Sequence, residues 1–329
     1  MADDSRRATD ERYMRRCLQL ARGGRQNAKP NPMVGAVIVS SDGRIIGEGY
    51  HVRCGEGHAE VNAFASVRPE DEPLLAEATV YVSLEPCSHW GKTPPCADLI
   101  VSKGVRRVVC GCVDPFAEVQ GRGIRRIREA GIEVTVGVLE QECLALNRRF
   151  ITVNAEKRPY IILKWAQTAN GKIAGRKASA PGAAPLLLST GFTKMLVHKL
   201  RAENDAILVG HETVCCDHPR LNTREWSGRD PERLVLAHDG EGIPSWFRRF
   251  DDIAPLLRYL YDNKRQSLLV EGGAATLRSF MERGLWDEIR VETAPFTVAE
   301  GTDAPQLPRE ARLVERAEYG GNFIFYYIK

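Results

Sequence analysis

Short apolar strand patterns alternate with helical patterns along the chain, and one polar stretch between Asn147 and Arg158 interrupts them. Alternating strands and helices are typical of a sheet that is covered by helices. The chain has 329 residues, which is too long for one ordinary domain and about right for two. We therefore predict two α/β domains, residues 1–150 and residues 151–329.

Apolar periodicity and turn residues place the individual elements. In the first half we expect helices over 10–23, 94–103 and 121–130, a further helix from His58, and strands over 33–39, 44–47, 79–84, 106–112 and 132–138. In the second half we expect helices over 190–202 and 274–283, and strands over 160–165, 205–210, 234–236, 268–270, 288–292 and 322–328.

Charge and composition argue against several classes of protein. The net charge is only +3, from 46 basic and 43 acidic residues, which does not by itself indicate a nucleic-acid or membrane partner. No window approaches the ~18 uninterrupted apolar residues of a spanning helix, and the N-terminal residues lack the apolar region of a signal peptide. The nine cysteines are an odd number in a long chain, so we expect thiols or metal ligands in a cytoplasmic protein rather than a disulfide framework.

One cluster of residues carries recognisable chemistry: His58 and Glu60, then Cys87 after a proline, then Cys96. One imidazole and two thiolates are ligands that suit zinc, and three ligands leave open the fourth position that a catalytic zinc site needs. Glu60 is not needed as a ligand, so it is free to carry protons between a water and a substrate. A histidine-x-glutamate followed by proline-cysteine and a second cysteine is the general signature of zinc deaminases.

A structural zinc site is the alternative, and His89 is then the candidate for a fourth ligand. The remaining cysteines have no such pattern around them, and we expect them to be small core residues. They are Cys17, Cys54, Cys110, Cys112, Cys143, Cys215 and Cys216.

The segments around this cluster resemble a known family. His58 to Ala63 (HAEVNA), Glu85 to Cys96 (EPCSHWGKTPPC), Pro30 to Val39 (PNPMVGAVIV) and Gly49 to His51 are similar to the bifunctional deaminase/reductase of riboflavin biosynthesis. The resemblance implies a cytidine-deaminase-like three-layer α/β domain followed by a dihydrofolate-reductase-like α/β domain. It also implies zinc-dependent removal of an amino group from 2,5-diamino-6-ribosylamino-4(3H)-pyrimidinone 5′-phosphate, with Glu60 as the proton carrier. Asn31, His51, His89 and Lys92 are then expected to hold the pyrimidine and its phosphate.

The second half resembles the family's reductase domain. Leu163 to Ala174, Leu200 to Gly210 and Val270 to Leu277 are similar to three of its blocks. By this resemblance NADPH reduces the ribosyl group of 5-amino-6-(5-phosphoribosylamino)uracil to a ribityl group. The residues expected at the substrate are Lys164, Arg201, Leu221, Arg224 and Glu271. Those expected at the cofactor are Ala166, Thr213, Asp217, Gly273, Ala274, Ala275, Thr276, Leu277, Arg278 and Ser279.

The Gly272-Gly273 pair also makes sense from the residues alone. It ends an apolar strand and opens a helix, where backbone N–H groups and the helix dipole favour an anion. It is equally compatible with a plain tight turn, and no G-x-G-x-x-G fingerprint follows a strand. NADPH is therefore implied by the family rather than by a motif.

The sequence departs from the family pattern mainly in the second half. Pro185 to Leu188 replaces a polar and often aromatic stretch that faces the cofactor, Asn170 replaces an aspartate, and Asp217-His218-Pro219 replaces Asp-Asp-Pro. In the first half, Asp114 to Ala117 differs from the usual Asp-Pro-Asn-Pro.

Two other functions remain open at the level of sequence. One is a nucleic-acid deaminase of the tRNA type, which shares the zinc chemistry. The other is a zinc-dependent protein whose second domain binds but no longer catalyses. The family resemblance also implies a homo-oligomer, a dimer or a tetramer, that acts on a small pyrimidine ribosyl phosphate.

Overall fold

The computed structural model describes residues 2–90, 94–114, 120–174 and 186–329. Lys92 and Pro185 are therefore outside the described residues. The chain divides into two compact units, Met1–Lys157 and Arg158–Lys329. This division falls inside the polar 147–158 stretch and later than the predicted 150/151 boundary.

The first unit contains a sheet with the strand order β2-β1-β3-β4-β5. Its central strand β3 is antiparallel to β1 and parallel to β4. The strands are β1 (Gly35–Val39), β2 (Ile45–Tyr50), β3 (Thr79–Val82), β4 (Arg107–Cys110) and β5 (Glu133–Val136). The helices are α1 (Ala2–Ala21), α2 (Ala59–Ala65), α3 (Cys96–Ser102), α4 (Arg122–Glu129), α5 (Glu140–Leu146) and α6 (Arg148–Glu156).

Helices cover both faces of this sheet because its strands are apolar on both sides. Ile38 and Val80 point into one core, which they share with residues of α2, α3 and α4. Val37 and Val109 point to the other face, into a core with residues of α1 and α5. Successive side chains of a strand alternate between faces, so continuous apolar runs give a three-layer domain.

The second unit is built on an eight-stranded sheet with the order β10-β9-β8-β11-β6-β12-β15-β14. The strands from β10 to β12 in this order are parallel, and β15 and β14 are antiparallel to their neighbours. The strands of this sheet are β6 (Tyr160–Gln167), β8 (Ala206–Gly210), β9 (Glu232–Leu236), β10 (Arg248–Phe250), β11 (Ser267–Val270), β12 (Glu288–Thr293), β14 (Arg312–Tyr319) and β15 (Asn322–Ile328). Two further strands, β7 (Lys172–Ala174) and β13 (Thr302–Asp303), pair with each other in a separate sheet. The helices are α7 (Gly191–Glu203), α8 (His211–Asp217), α9 (Ile253–Asp262) and α10 (Ala274–Glu282).

This unit also has a core on each face of its sheet. Leu163 and Leu268 pack with residues of α9 and α10 on one side. Ile162 and Leu269 pack with Val214 of α8 on the other. The parallel strands β6, β8, β11 and β12 bring their carboxyl ends to one edge of the sheet, which is where ligands bind in open α/β sheets.

Most predicted elements are present with ends shifted by a few residues, and the α/β fold class is confirmed. The sequence analysis did not identify α6, which it treated as part of a polar linker, nor α5, α8, α9, β7, β10, β13 and β14. Within the described ranges, no helix is long and apolar enough to cross a membrane.

Candidate active sites

The three predicted zinc ligands meet at the helix ends that face one edge of the first sheet. His58 immediately precedes α2, Cys87 lies in the turn after β3, and Cys96 is the first residue of α3. The Nδ1 atom of His58 lies 3.5 Å from the sulfur of Cys87 and 3.3 Å from that of Cys96. The ligand atoms of the three residues all lie within 4.8 Å of one another.

This donor set fits a zinc ion. For ordinary zinc bond lengths and tetrahedral angles, a nitrogen and a sulfur ligand lie about 3.6 Å apart, close to the distances from His58. The backbone N–H of Cys96 donates to the sulfur of Cys87 at 3.3 Å, which stabilises a thiolate. Among the described residues, His89 does not join this group, so the structural four-ligand alternative is not supported.

The surroundings favour an ionised sulfur at Cys87 and a buried carboxyl at Glu60. The hydrogen bond from the Cys96 thiol, helped by His58, outweighs burial and lowers the pKa of the Cys87 thiol to about 4. Glu60 is in the first turn of α2 and is only 3% exposed. Burial, with the charge of Cys87, raises the pKa of Glu60 to about 7.

A cavity of about 710 Å³ opens beside these residues. Asn31, His51 and His89, which were predicted to hold the substrate, all line it together with His58 and Glu60. The Nδ1 atom of His51 lies 3.1 Å from the carbonyl oxygen of Gly57, and its Nε2 atom lies 3.1 Å from Nδ2 of Asn31. A carbonyl only accepts, so Nδ1 carries the proton and Nε2 accepts from Asn31.

Burial lowers the pKa of His51, which agrees with a neutral ring of that tautomer. The sequence analysis did not identify four further residues that line the cavity, because they come from distant parts of the chain. They are Asp114, Arg122, Phe150 and Asn154.

A buried glutamate connects the turn that carries Cys87 to the start of α4. Both carboxylate oxygens of Glu85 accept backbone N–H groups. Oε2 accepts from Asp114 at 3.2 Å and from Gly121 at 2.9 Å, and Oε1 accepts from Gly123 at 2.9 Å and from Ile124 at 3.4 Å. Gly123 also has no room for a side chain, because a Cβ there would lie 1.9 Å from the carbonyl oxygen of Pro86. We refer to these contacts of Glu85 as the Glu85 clamp.

In the second unit, a charged cluster lies near the carboxyl ends of the parallel strands. Arg201 of α7 makes two hydrogen bonds to Glu271, of 2.9 and 2.8 Å. Burial opposes ionisation of Glu271, but the charges of Lys164 and Arg201 lower its pKa to about 2. Burial also lowers the pKa of Lys164.

A cavity of about 330 Å³ lies over this part of the sheet. The predicted residues Lys164, Ala166, Arg201 and Arg224 all line it. Lys194 and His198 of α7 line it as well and were not predicted. Lys194, His198 and Arg201 follow one another at intervals of four and three residues, which places all three on one helix face. The segment Leu186–Ser189 forms another wall, and Val197 of α7 completes the lining.

The loop between β11 and α10 has the open backbone expected of a phosphate site. Gly272 has a φ of 128° and Gly273 lies next to it, directly before α10. A Cβ on Gly273 would have only the hydroxyl of Thr213 within 4 Å, at 3.5 Å. The first N–H groups of α10 have no partner within the helix, so this loop and Thr213 fit an anionic group of NADPH.

Several residues predicted for the cofactor or substrate have other roles in the structure. Leu277 is fully buried in the core, and the hydroxyl of Ser279 donates to the carbonyl of Thr276 in its own helix. Leu221 is also buried in the core, so its side chain does not face the cavity. The helical period of α10, which begins at Ala274, turns Leu277 inward. Contacts of these three residues with substrate or cofactor stay predictions.

Comparison with known proteins gives the family. Residues 7–112 match the cytidine and deoxycytidylate deaminase zinc-binding region, and residues 159–315 match the RibD C-terminal domain. The riboflavin biosynthesis protein RibD of Aquifex aeolicus is 36% identical over 334 residues, which covers 92% of this chain and 91% of that protein. The chain belongs to the RibD family. RibD of Escherichia coli K12 is 36% identical over 344 residues, covering 91% of this chain and 90% of that protein.

A solved structure agrees with this assignment. The diaminohydroxyphosphoribosylaminopyrimidine deaminase/5-amino-6-(5-phosphoribosylamino)uracil reductase of Thermotoga maritima is 34% identical, with a TM-score of 0.87 over 98% of this chain and 99% of that one. As a member of the RibD family, the protein is a bifunctional enzyme of riboflavin biosynthesis with a zinc-binding deaminase domain and a reductase domain. The resemblance of the sequence to this family is thereby confirmed.

Proposed function

We propose that the first domain removes the 2-amino group of 2,5-diamino-6-ribosylamino-4(3H)-pyrimidinone 5′-phosphate. The observation that carries this proposal is the group of His58, Cys87 and Cys96 beside Glu60 in one cavity. These three residues would hold zinc, which when bound supplies a Lewis acid at the open position. Glu60 passes one proton of the attacking water to the adjacent ring nitrogen and the other to the leaving amino group, so that the C–N bond breaks, a carbonyl forms and ammonia leaves.

In this proposal, the residues that line the cavity orient the substrate. Asn31 presents an amide, which reads the edge of a heterocycle, and its bond to His51 fixes its direction. His89 is exposed and lines the cavity, and in this proposal it binds the phosphate. Lys92 stays a prediction for the same role.

The second domain, in this proposal, reduces the ribosyl group of the deaminated product. NADPH, when bound, supplies the hydride for C1′, the bond from C1′ to the ring oxygen opens, and that oxygen takes a proton. The cavity that holds Lys164 would place this side chain near the reacting sugar, and Arg201 and Arg224 suit the 5′-phosphate. The Gly272–Gly273 loop, Thr213 and Asp217 face the cofactor.

The remaining parts of the proposal concern partners and compartment. We propose that the ligands are these pyrimidine phosphates and NADPH, without a nucleic-acid or membrane partner, in a dimer or tetramer. All nine cysteines are free thiols in the structure, which suits the reducing cytoplasm.

Substitution of Glu60 by glutamine tests the proposal. The amide is nearly isosteric and is not a zinc ligand, so we expect zinc content to persist while deamination falls by at least ~10²-fold. The same purified variant should still oxidise NADPH when it receives the deaminated pyrimidine. Ammonia release, NADPH absorbance and metal content are measured together, with the exposed Glu140→Gln as the matched control.

Three results would contradict parts of this proposal. Near-normal deamination by Glu60→Gln removes Glu60 as the proton carrier. Joint loss of zinc and of both activities makes Glu60 a structural residue. A wild-type protein that releases ammonia but never oxidises NADPH with the deaminated product has a reductase domain that no longer catalyses.

A further inference from the structure

The segment Leu186–Ser189 forms one wall of the reductase cavity without belonging to a helix or strand. Leu186–Leu188 belong to the stretch from Pro185 to Leu188 that, by the family resemblance, replaces a polar and often aromatic one. Ser189, the last residue of the wall, adjoins Thr190, which caps α7 through reciprocal hydrogen bonds with Thr193. The cap of α7 therefore fixes only the C-terminal end of the wall.

Glu292 of β12 is a second point of attachment for the wall. Glu292 is 0% exposed, and both of its carboxylate oxygens accept hydrogen bonds. The hydroxyl of Ser189 donates to Oε2 at 2.9 Å, and the amide Nδ2 of Asn322 donates to Oε1 at 2.6 Å. The same Nδ2 of Asn322 donates to the carbonyl of Leu188 at 2.8 Å.

The bonds of Glu292 and Asn322 connect the wall to β12 and β15, which are neighbours in the sheet. Asn322, the first residue of β15, is only 3% exposed. On β6, the register partner of Glu292 is Ala166, which lines the cavity. Glu292 is thus buried beneath the wall and directly beside the cavity floor. A buried carboxylate is costly unless its oxygens are bonded, so its presence here indicates that the wall is held in place.

We propose that Glu292 is a positioning residue of the reductase: through Ser189 and Asn322 it holds Leu186–Ser189 against the sheet, so that the cavity wall is formed before the ligands bind. Glu292 does not touch the reacting atoms. A wall that is already ordered spares the ligands the entropy of ordering it. The inference rests on the reductase reaction proposed above, and its first test below does not depend on that reaction.

The two possible roles of Glu292 respond differently to substitution. Glu292→Ala removes both bonds. Glu292→Gln removes the charge but keeps both contacts, because its oxygen accepts from Asn322 and its nitrogen donates to Ser189, whose hydroxyl can also accept. Ser189→Ala removes the bond from Ser189 to Glu292 and keeps the two bonds that Asn322 makes, to Leu188 and to Glu292. Glu318→Ala, at an exposed position of β14, is the matched control.

The first measurement is limited digestion of the free, full-length protein with chymotrypsin, with the cleavage sites read by mass spectrometry. We expect cleavage after Leu186, Leu187 or Leu188 to be at least about fivefold faster in Glu292→Ala and Ser189→Ala. Glu292→Gln and Glu318→Ala should be cleaved at the wild-type rate. Equal rates in all variants would overturn the proposal, whether or not the protein turns out to reduce this substrate. If Glu292→Ala does not fold, Ser189→Ala and Glu292→Gln decide.

The second measurement is steady-state kinetics of the reductase, with deamination by the same sample as the control for folding. In Glu292→Ala we expect the KM for NADPH or for the pyrimidine to rise roughly tenfold, with kcat within about threefold of the wild type. Glu292→Gln should restore both values. Unchanged KM values in Glu292→Ala, or equal losses in Glu292→Ala and Glu292→Gln, would show that the wall does not depend on these bonds. A wild-type sample without reductase activity would instead contradict the proposed function, and the digestion would still test the wall.

Discussion

Replacing Glu85 by glutamine should destabilise the deaminase domain far more than an isosteric change usually does. All four partners in the Glu85 clamp are backbone N–H groups, which can only donate. A glutamine must present its NH₂ group to one pair of them. Whichever way the amide turns, one bond of 2.9 Å and one longer bond are lost.

The size of the effect follows from those two bonds. A hydrogen bond to a charged group contributes about 1.5–3 kcal/mol, and the longer bond contributes less than the shorter one. We therefore expect a loss of about 3 kcal/mol. For a domain of this size that corresponds to a fall in Tm of roughly 6–12 °C.

The assay follows the temperature at which each activity is lost from the full-length protein. In Glu85→Gln, deamination and bound zinc should be lost at the lower temperature, while NADPH oxidation should keep its wild-type midpoint. Glu140→Gln, an exposed change on α5 of the same unit, is the control. A Glu85→Gln midpoint within about 2 °C of the wild type would refute the reasoning, because it would mean that the four N–H groups find other partners at no cost.

Three further predictions concern the metal, the cofactor and pH. Cys87→Ser should lower the zinc content well below the expected one ion per chain, measured by elemental analysis; full retention would exclude Cys87 as a ligand. Gly273→Asp should weaken NADPH binding at least tenfold in a fluorescence titration, since a Cβ there meets only Thr213 and the new charge faces the cofactor phosphate; unchanged affinity would remove this loop from the site. The charges of Lys164 and Arg201 lower the pKa of Glu271 to about 2 from an ordinary 4.5. Their interaction with the ionised Glu271 therefore stabilises the fold above about pH 4.5, and this stabilisation is lost as pH falls towards 2. Glu271→Gln should flatten that part of the acid-unfolding curve, and an unaltered curve would contradict the stabilising role of Glu271.

The zinc ligands could be predicted from sequence because the motif is short and two of the ligands, His58 and Cys96, lie at the starts of α2 and α3. Glu85 could not be assigned its role, since its partners lie 29 to 39 residues further along the chain. The same holds for Glu292, whose bond to Ser189 spans 103 residues. Hydrogen bonds between distant segments leave no periodic signal in the sequence.

Two of the elements that the sequence analysis missed, α6 and β14, have few apolar residues in a regular pattern. Residues 148–156 are rich in polar side chains and resemble a linker, yet they form α6. β14 is the edge strand of its sheet, and most of its side chains are exposed, so it lacks the apolar run of a buried strand. By contrast, the inward turn of Leu277 was readable: Ala274, Leu277 and Phe280 recur every three residues, as one buried helix face requires.

The two units each have a core on both faces of their own sheet, and this has a genetic consequence. A defect in one unit need not unfold the other, so alleles can be damaged in one activity and sound in the other. A cell that carries a Glu60→Gln copy and a Gly273→Asp copy should then grow without added riboflavin, although neither copy supports growth alone. Complementation between alleles of a single gene is the behaviour expected when one polypeptide joins two separately folded catalysts.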